Sequence, residues 1–480
     1  MRKLTRSEKI KITERAKTIL IVLLACSCFA SGYYVFDMYR DLDAVRSFWQ
    51  SSDPVLTFDG QYTNQGSQNT LKDFLTLSEP ELVLINKTDA RAEIPVTDET
   101  FAEISEVINS VIKDAYSVPE SEIIVAEIEE WKAAVRTDSM YVRYAGTRSA
   151  ALEGEFYKAS QNALASVVDV YEEVCLVPDI KNGSVTVYIP DKDYKNIIKL
   201  NITGNAAEKI DLLINSADIN SKAFAYAFEL NLDNGSEAET TTGPMLVVPT
   251  KEKSVNDIVV DVPKTYKTGL NFIKTTDFTM DLIDIFGYNQ NTVRQYVNSE
   301  DVLIFVGETG TLSVYPEGYI EYRALGTNEG VILDGQSTNG VYGATSSLIS
   351  MIERINTISG VLPELNDSAL KISALSATDG HTQTIRTEFD FYVDGCKIDF
   401  LDGPAITAIV SGGVLTELKM QIKTVKKAET VVKLPTMLGE IEKSITANPG
   451  TKLVKSAEVI YMFHHGGEKI SAEWKIEKGN

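Results

Sequence analysis

The longest apolar run in the chain comes near its start. Thr18 to Phe36 reads TILIVLLACSCFASGYYVF, nineteen residues without a charge. At 1.5 Å rise per residue a helix of that length spans about 28 Å, close to the hydrocarbon thickness of a bilayer. We read residues 18–36 as one transmembrane helix and residues 37–54 as a short helical stalk ending near Trp49. After the stalk, helical and strand periods alternate. Phe101, Ile104, Val107, Ile108, Val111 and Ile112 recur at helical spacing behind Thr97 and acidic residues that suit a helix N-terminus. The stretches SVTVYI (184–189) and AFAYAFELNL (223–232) read as strands, and 234–243 as a loop. Together these predict an N-terminal α+β domain over residues 55–250.

A middle α+β domain is expected over 264–335. Two short helices, 269–274 and 278–286, precede strands at 302–306, 311–314 and 319–322, with turns at Glu308-Thr309-Gly310 and Pro316-Glu317-Gly318. A C-terminal α+β domain fills 339–480. A helix over 344–359 leads to strands ending at Val393, and Asp394-Gly395 makes a two-residue hairpin into Cys396, Ile398 and Phe400. Leu434, Leu438, Ile441 and Ile445 mark an amphipathic helix. The final strand alternates Ile470, Ala472, Trp474 and Ile476, one buried face of an antiparallel sheet. The fold class is α+β: antiparallel sheets covered by helices, behind a single membrane span.

Charge fixes the orientation of that span. Residues 1–17, the expected cytoplasmic tail, hold Arg2, Lys3, Arg6, Lys9, Lys11, Arg15 and Lys17 against Glu8 and Glu14. Basic residues beside a span keep their side in the cytoplasm, so the bulk lies outside. Seven of the 46 Lys and Arg and two of the 68 Asp and Glu precede residue 37, leaving residues 37–480 a net charge of −27. A body so acidic is repelled by nucleic acid and by anionic lipid. A cleaved signal peptide ending near Ala30 and a lipoprotein starting at Cys26 are the competing readings. The apolar run continues ten residues past Cys26, which argues for a retained anchor. Only Cys175 and Cys396 lie outside the anchor, so no disulfide framework is expected.

Candidate chemistry is sparse. The three histidines, His381, His464 and His465, show no zinc spacing, and no phosphate loop or GxSxG elbow occurs. The acidic pairs Glu129-Glu130 and Glu172-Glu173 read as surface faces of helices. Ser110-Val-Ile-Lys113, Ser160-Gln-Asn162 and Lys267-Thr-Gly269 stand in the order used by penicillin-binding enzymes. Stepping 100° per residue puts Ser110 and Lys113 opposite the apolar stripe of their helix, on the wet face. We therefore expect no catalytic residue, no cofactor and no metal.

Several segments together resemble the YycH/YycI family. The basic N-terminus and single span are followed by Trp49. Ile285-Phe286, Val293-Arg294, Gly310-Thr311-Leu312 and Ile320-Glu321-Tyr322 follow in the middle domain. The hairpin Phe391 to Ile398, the helix opening at Leu434-Pro435-Thr436 and the closing Ala472-Glu473-Trp474-Lys475-Ile476 complete the match. Glu473 stands between alanine and tryptophan, and the proline of the family's closing stretch is missing. Length and three domains favour the YycH side.

The resemblance implies an anchored extracytoplasmic regulator, not an enzyme, acting on a WalK-like sensor histidine kinase of Gram-positive bacteria, with a YycI-like sister protein as a further partner. Small residues on the span (Ala25, Ser27, Ala30, Ser31 and Gly32) are the expected packing face toward kinase helices. The alternatives are an extracytoplasmic module binding a peptide or wall polymer and, more remotely, a penicillin-binding-like serine enzyme.

Overall fold

The computed structural model describes residues 77–479, apart from short stretches of which 231–240, 334–340, 360–367 and 448–452 are the longest. Residues 72–480 form one compact unit. The span at 18–36, its small-residue face and the stalk lie outside the described residues.

The N-terminal part is a seven-stranded antiparallel sheet. Its strands are β1 (Pro80–Lys87), β2 (Ala90–Ile94), β3 (Ile124–Ala126), β4 (Ser139–Ser149), β5 (Val170–Asp179), β6 (Ser184–Pro190) and β7 (Ile197–Thr203). Pairings run in the order β2-β1-β4-β5-β6-β7-β3. Side chains alternate across the pleat, so β1 buries Val83 and Ile85 on one face and Leu82 and Leu84 on the other.

Helices α1 (Phe101–Ala115), α2 (Ile128–Ala134), α3 (Ala150–Phe156), α4 (Leu164–Val167) and α5 (Ala206–Ser216) belong to this half. The first face packs on α1 and α5 through Ile104, Ile108, Val111, Ile210 and Ile214, and the second on α2 through Trp131. The stripe read for α1 is the buried one, with Ser110 and Lys113 exposed.

Smaller pieces follow: β8 (Phe224–Tyr226), β9 (Thr241–Thr242), β10 (Val247–Pro249), β11 (Lys253–Asp261), β12 (Lys267–Gly269) and β13 (Phe272–Lys274). Two expectations are corrected here. The stretch read as a strand over 223–232 turns after Tyr226 into a 3-10 helix, Ala227–Leu230. The Glu229 carboxylate causes the turn, accepting the Tyr226 amide at 3.1 Å and Arg91 Nη2 at 2.8 Å. Where a helix was expected over 269–274, the described residues pair as strands instead, with Gly269 of β12 opposite Phe272 of β13. Six residues give too few hydrogen bonds to repay helix nucleation, and Thr268, Phe272 and Ile273 favour strands.

The central sheet takes β14 (Arg294–Val297), β15 (Leu303–Val306), β16 (Gly310–Tyr315), β17 (Tyr319–Ala324), β18 (Val331–Ile332), β19 (Ala369–Thr378), β20 (Thr384–Val393), β21 (Cys396–Phe400), β22 (Ile406–Ser411) and β23 (Val414–Gln421). Its antiparallel order is β14-β15-β16-β17-β23-β22-β20-β19. Helices α6 (Asp277–Ile285) and α7 (Val341–Ser359) bury Leu282, Ile283, Leu348, Ile352 and Ile355 in its core, joined by Leu152 and Phe156 of α3.

The chain closes with β24 (Thr424–Leu434), α8 (Met437–Ala447), β25 (Leu453–Phe463), β26 (Lys469–Ile470) and β27 (Ala472–Gly479). Strand β24 pairs with β11, and β25 lies parallel to β21 and antiparallel to β27. The result is α+β: a large mixed sheet system with eight α-helices among the described residues, none long and apolar enough to cross a membrane.

Candidate functional site

A cleft of about 290 Å³ opens where the N-terminal sheet meets the C-terminal strands. Strands β1 and β4 bring Glu81 and Arg143 to its floor. The hairpin β20–β21 brings Tyr392 and Lys397, and β25 brings Glu458. The hairpin forms because Asp394 and Gly395 both take positive φ, 48° and 76°, the geometry of the tightest two-residue turn. That turn sets Tyr392 directly opposite Lys397. Phe224, Val247 and Pro249 form one apolar wall, Met437 and Trp474 the other. The Trp474 indole is fixed by its Nε1–H, which donates to the Pro435 carbonyl at 2.9 Å.

The floor is a chain of charges. Arg143 Nη2 donates to Glu81 Oε1 at 2.6 Å, and Lys397 pairs with Asp390 at 2.5 Å. Burial works against the Arg143 guanidinium, but Glu81 together with Tyr141 and Glu458 holds that pKa up. Burial likewise works against Lys397, and Asp390 together with Asp399 and Glu458 reverses it. The Glu458 carboxyl is pushed up, first by burial and then by Glu81. Burial lowers the pKa of Lys371, whose ammonium donates to the Pro80 carbonyl at 2.8 Å.

Residues singled out in the sequence lie elsewhere. Ala25, Ser27, Ala30, Ser31 and Gly32 fall outside the described residues, as do His381 and His465. His464 is exposed at the end of β25. Ser110 and Lys113 sit on the outer face of α1, while Lys267 to Gly269 form a short strand. Glu129 and Glu130 are on α2 and exposed, as expected.

The expectation for Glu172 and Glu173 is corrected: they lie on β5, where Val174 and Leu176 pack one face and Cys175 the other. The Tyr194 hydroxyl donates to Glu173 Oε2 at 2.8 Å. Burial pushes this carboxyl up to about 7, against the hydrogen bond from Tyr194 and the nearby Arg143. Cys175 and Cys396 are buried free thiols. Among the described residues, no three His, Cys, Asp or Glu side chains are placed to hold a metal ion.

The cleft residues carried no joint signal in sequence, because more than ten separate elements supply them. Segments read for other reasons, among them the Asp394-Gly395 hairpin, the start of 223–232, the helix of Leu438 and Ile441 and the Trp474 strand, reach it.

No family model matches the chain, and no curated protein matches it in sequence. The chain is similar to the crystal structure of YycH from Bacillus subtilis, at 10% identity and a TM-score of 0.49, covering 84% of this chain and 95% of that one.

Proposed function

We propose that this chain is a single-pass membrane protein whose acidic body lies outside the cytoplasm and regulates a sensor histidine kinase of cell-wall metabolism by direct contact. The observation that carries the reading is the charge asymmetry about residues 18–36: seven basic residues before the apolar run and a net −27 after it. The resemblance of the sequence to the YycH/YycI family supplies the kind of partner, a WalK-like kinase with a YycI-like sister protein. The work is contact and not catalysis. In the cleft, Glu81 is bound to Arg143 and Lys397 to Asp390, an arrangement that suits holding a partner's chain. Deleting the chain should change a reporter of the kinase's response regulator, and the full chain should restore it. A body exported without residues 1–36 should not. A reporter indifferent to the deletion overturns the reading.

A second reading, an extracytoplasmic module for a peptide or wall polymer, is favoured by the cleft itself, whose apolar walls and charged floor match a small ligand site.

A further inference from the structure

Glu458 is a half-buried carboxylate of the cleft, whose lining also holds Glu93, Glu252, Lys251 and Lys253. Three cations act on its carboxylate, and each is bound to a different acid. Arg143 is taken by Glu81 at 2.6 Å, Lys397 by Asp390 at 2.5 Å, and Lys475, directly opposite Glu458 across the β25–β27 ladder, by Asp399. The Glu458 carboxylate makes no hydrogen bond or ion pair with any described residue. A half-buried carboxylate left in this state, beside a second carboxylate, costs free energy that a bound cation would recover.

The rest of the cleft says what kind of cation. Strong hydration would keep a bare metal ion from the apolar walls, and among the described residues no three His, Cys, Asp or Glu side chains are placed to hold one. An ammonium carried on methylenes matches both parts, its stem against the apolar lining and its head at Glu458. About 290 Å³ accommodates such a side chain together with part of a neighbouring residue. We propose that this cleft binds the lysine side chain of an extracytoplasmic peptide, with Glu458 as the acceptor of its ammonium. The site does not depend on which kinase the chain contacts, or on whether it contacts one.

The test uses the full chain in detergent micelles and three blocked tripeptides. These are acetyl-Leu-Lys-Leu-amide, the same peptide with the lysine Nε-acetylated, and the same with glutamate for lysine. Binding is followed by titration calorimetry and by the Trp474 indole NMR signal, assigned with Trp474→Phe. The lysine peptide is expected to bind saturably and to move the Trp474 signal, while acetylation and glutamate each weaken binding at least tenfold. Glu458→Gln is expected to weaken it to the same degree. Should that variant fail to fold, the acetylated peptide and the indole shift in the unaltered chain decide the matter alone. No saturable binding, equal binding of all three peptides, or a lysine preference that survives in folded Glu458→Gln overturns the proposal.

Discussion

A methyl group placed on Gly146 would lie 1.8 Å from the carbonyl oxygen of Ser373. The two backbones touch because both strands are irregular there. Strand β4 leaves its register with β5 between Arg143 and Arg148, and β19 bulges against β20 between Ile372 and Ala374. In the gap, Thr147 pairs with Ala374 and joins the N-terminal sheet to the central one. The Tyr392 hydroxyl donates to Ala145 O beside this joint at 3.2 Å, which ties the joint to the cleft.

Gly146→Ala should therefore destabilise the chain by about 2–3 kcal/mol, the cost of forcing bulk against backbone that cannot swing away. Gly439, inside α8, is the opposite case, since a methyl there meets only Thr436 Oγ1 at 3.4 Å. Gly439→Ala should stabilise by about 0.5–1 kcal/mol through lost unfolded-state entropy. Denaturant midpoints of both variants check the pair of signs.

The Arg148–Glu153 pair is buried among tyrosines. Tyr116 Oη donates to Glu153 Oε2 at 2.9 Å, Tyr171 donates to the same atom, and Arg148 lies 4.0 Å from the centre of the Tyr144 ring. Removing one partner strands the other's charge, so Glu153→Leu should cost about 3–5 kcal/mol. The double variant Arg148→Met with Glu153→Leu should recover part of that loss. A double-mutant cycle measured by urea unfolding reads it directly.

Glu173 gives stability a pH dependence of unusual sign. Its carboxyl titrates near its usual 4.5 when the chain is unfolded and at about 7 when folded. Between those values the folded state holds the extra proton, so this group's contribution to stability falls as pH rises through the window. Glu173→Gln should flatten the slope between pH 4.5 and 7 and leave the variant more stable above pH 7, by on the order of 1–3 kcal/mol. Thermal unfolding at pH 5 and pH 8 checks it, and an unchanged slope contradicts it.

Much of the secondary structure was legible in local pattern. The stripe from Phe101 to Ile112, the meander over β15 to β17 and the Asp394-Gly395 hairpin are each set by neighbours a few residues apart. Strands β4 and β11 were not read. Several of their residues are polar, such as Arg143, Arg148, Asn256 and Asp257, and find partners in distant segments. Arg148 reaches Ser78, Asn256 reaches Ala428 and Asp257 reaches Thr430. The error over 223–232 has the same origin, since Arg91, more than a hundred residues away, captures Glu229. The cleft was hidden for this reason too, because local pattern reports which face is buried and not which faces meet.

Ser110→Ala should leave regulation unchanged at matched protein levels, because the hydroxyl faces solvent on α1. Lys267→Ala should do the same under the contact reading. A folded, well-expressed version of either that loses function would revive the serine-enzyme reading, and covalent labelling by a β-lactam would establish it.

Topology offers a simple check on the anchor. Cysteine-accessibility labelling of intact cells should find position 17 protected and position 53 reactive, with the chain uncleaved. A mature N-terminus at Cys26 or Ser31 would contradict the retained span.

Capture of the sensor kinase with the full-length chain tests the account most directly. It is measured with a response-regulator reporter in the same cells. The unaltered chain should co-purify the kinase. In the proposed span Ala25 and Gly32, seven residues apart in sequence, would share one side of a helix, so Gly32→Leu would add bulk where helix backbones approach while keeping the segment apolar. It should lower capture several-fold and shift the reporter, whereas Leu24→Ala should do less. No capture of the kinase by the unaltered chain, together with a reporter that ignores its deletion, would contradict the account.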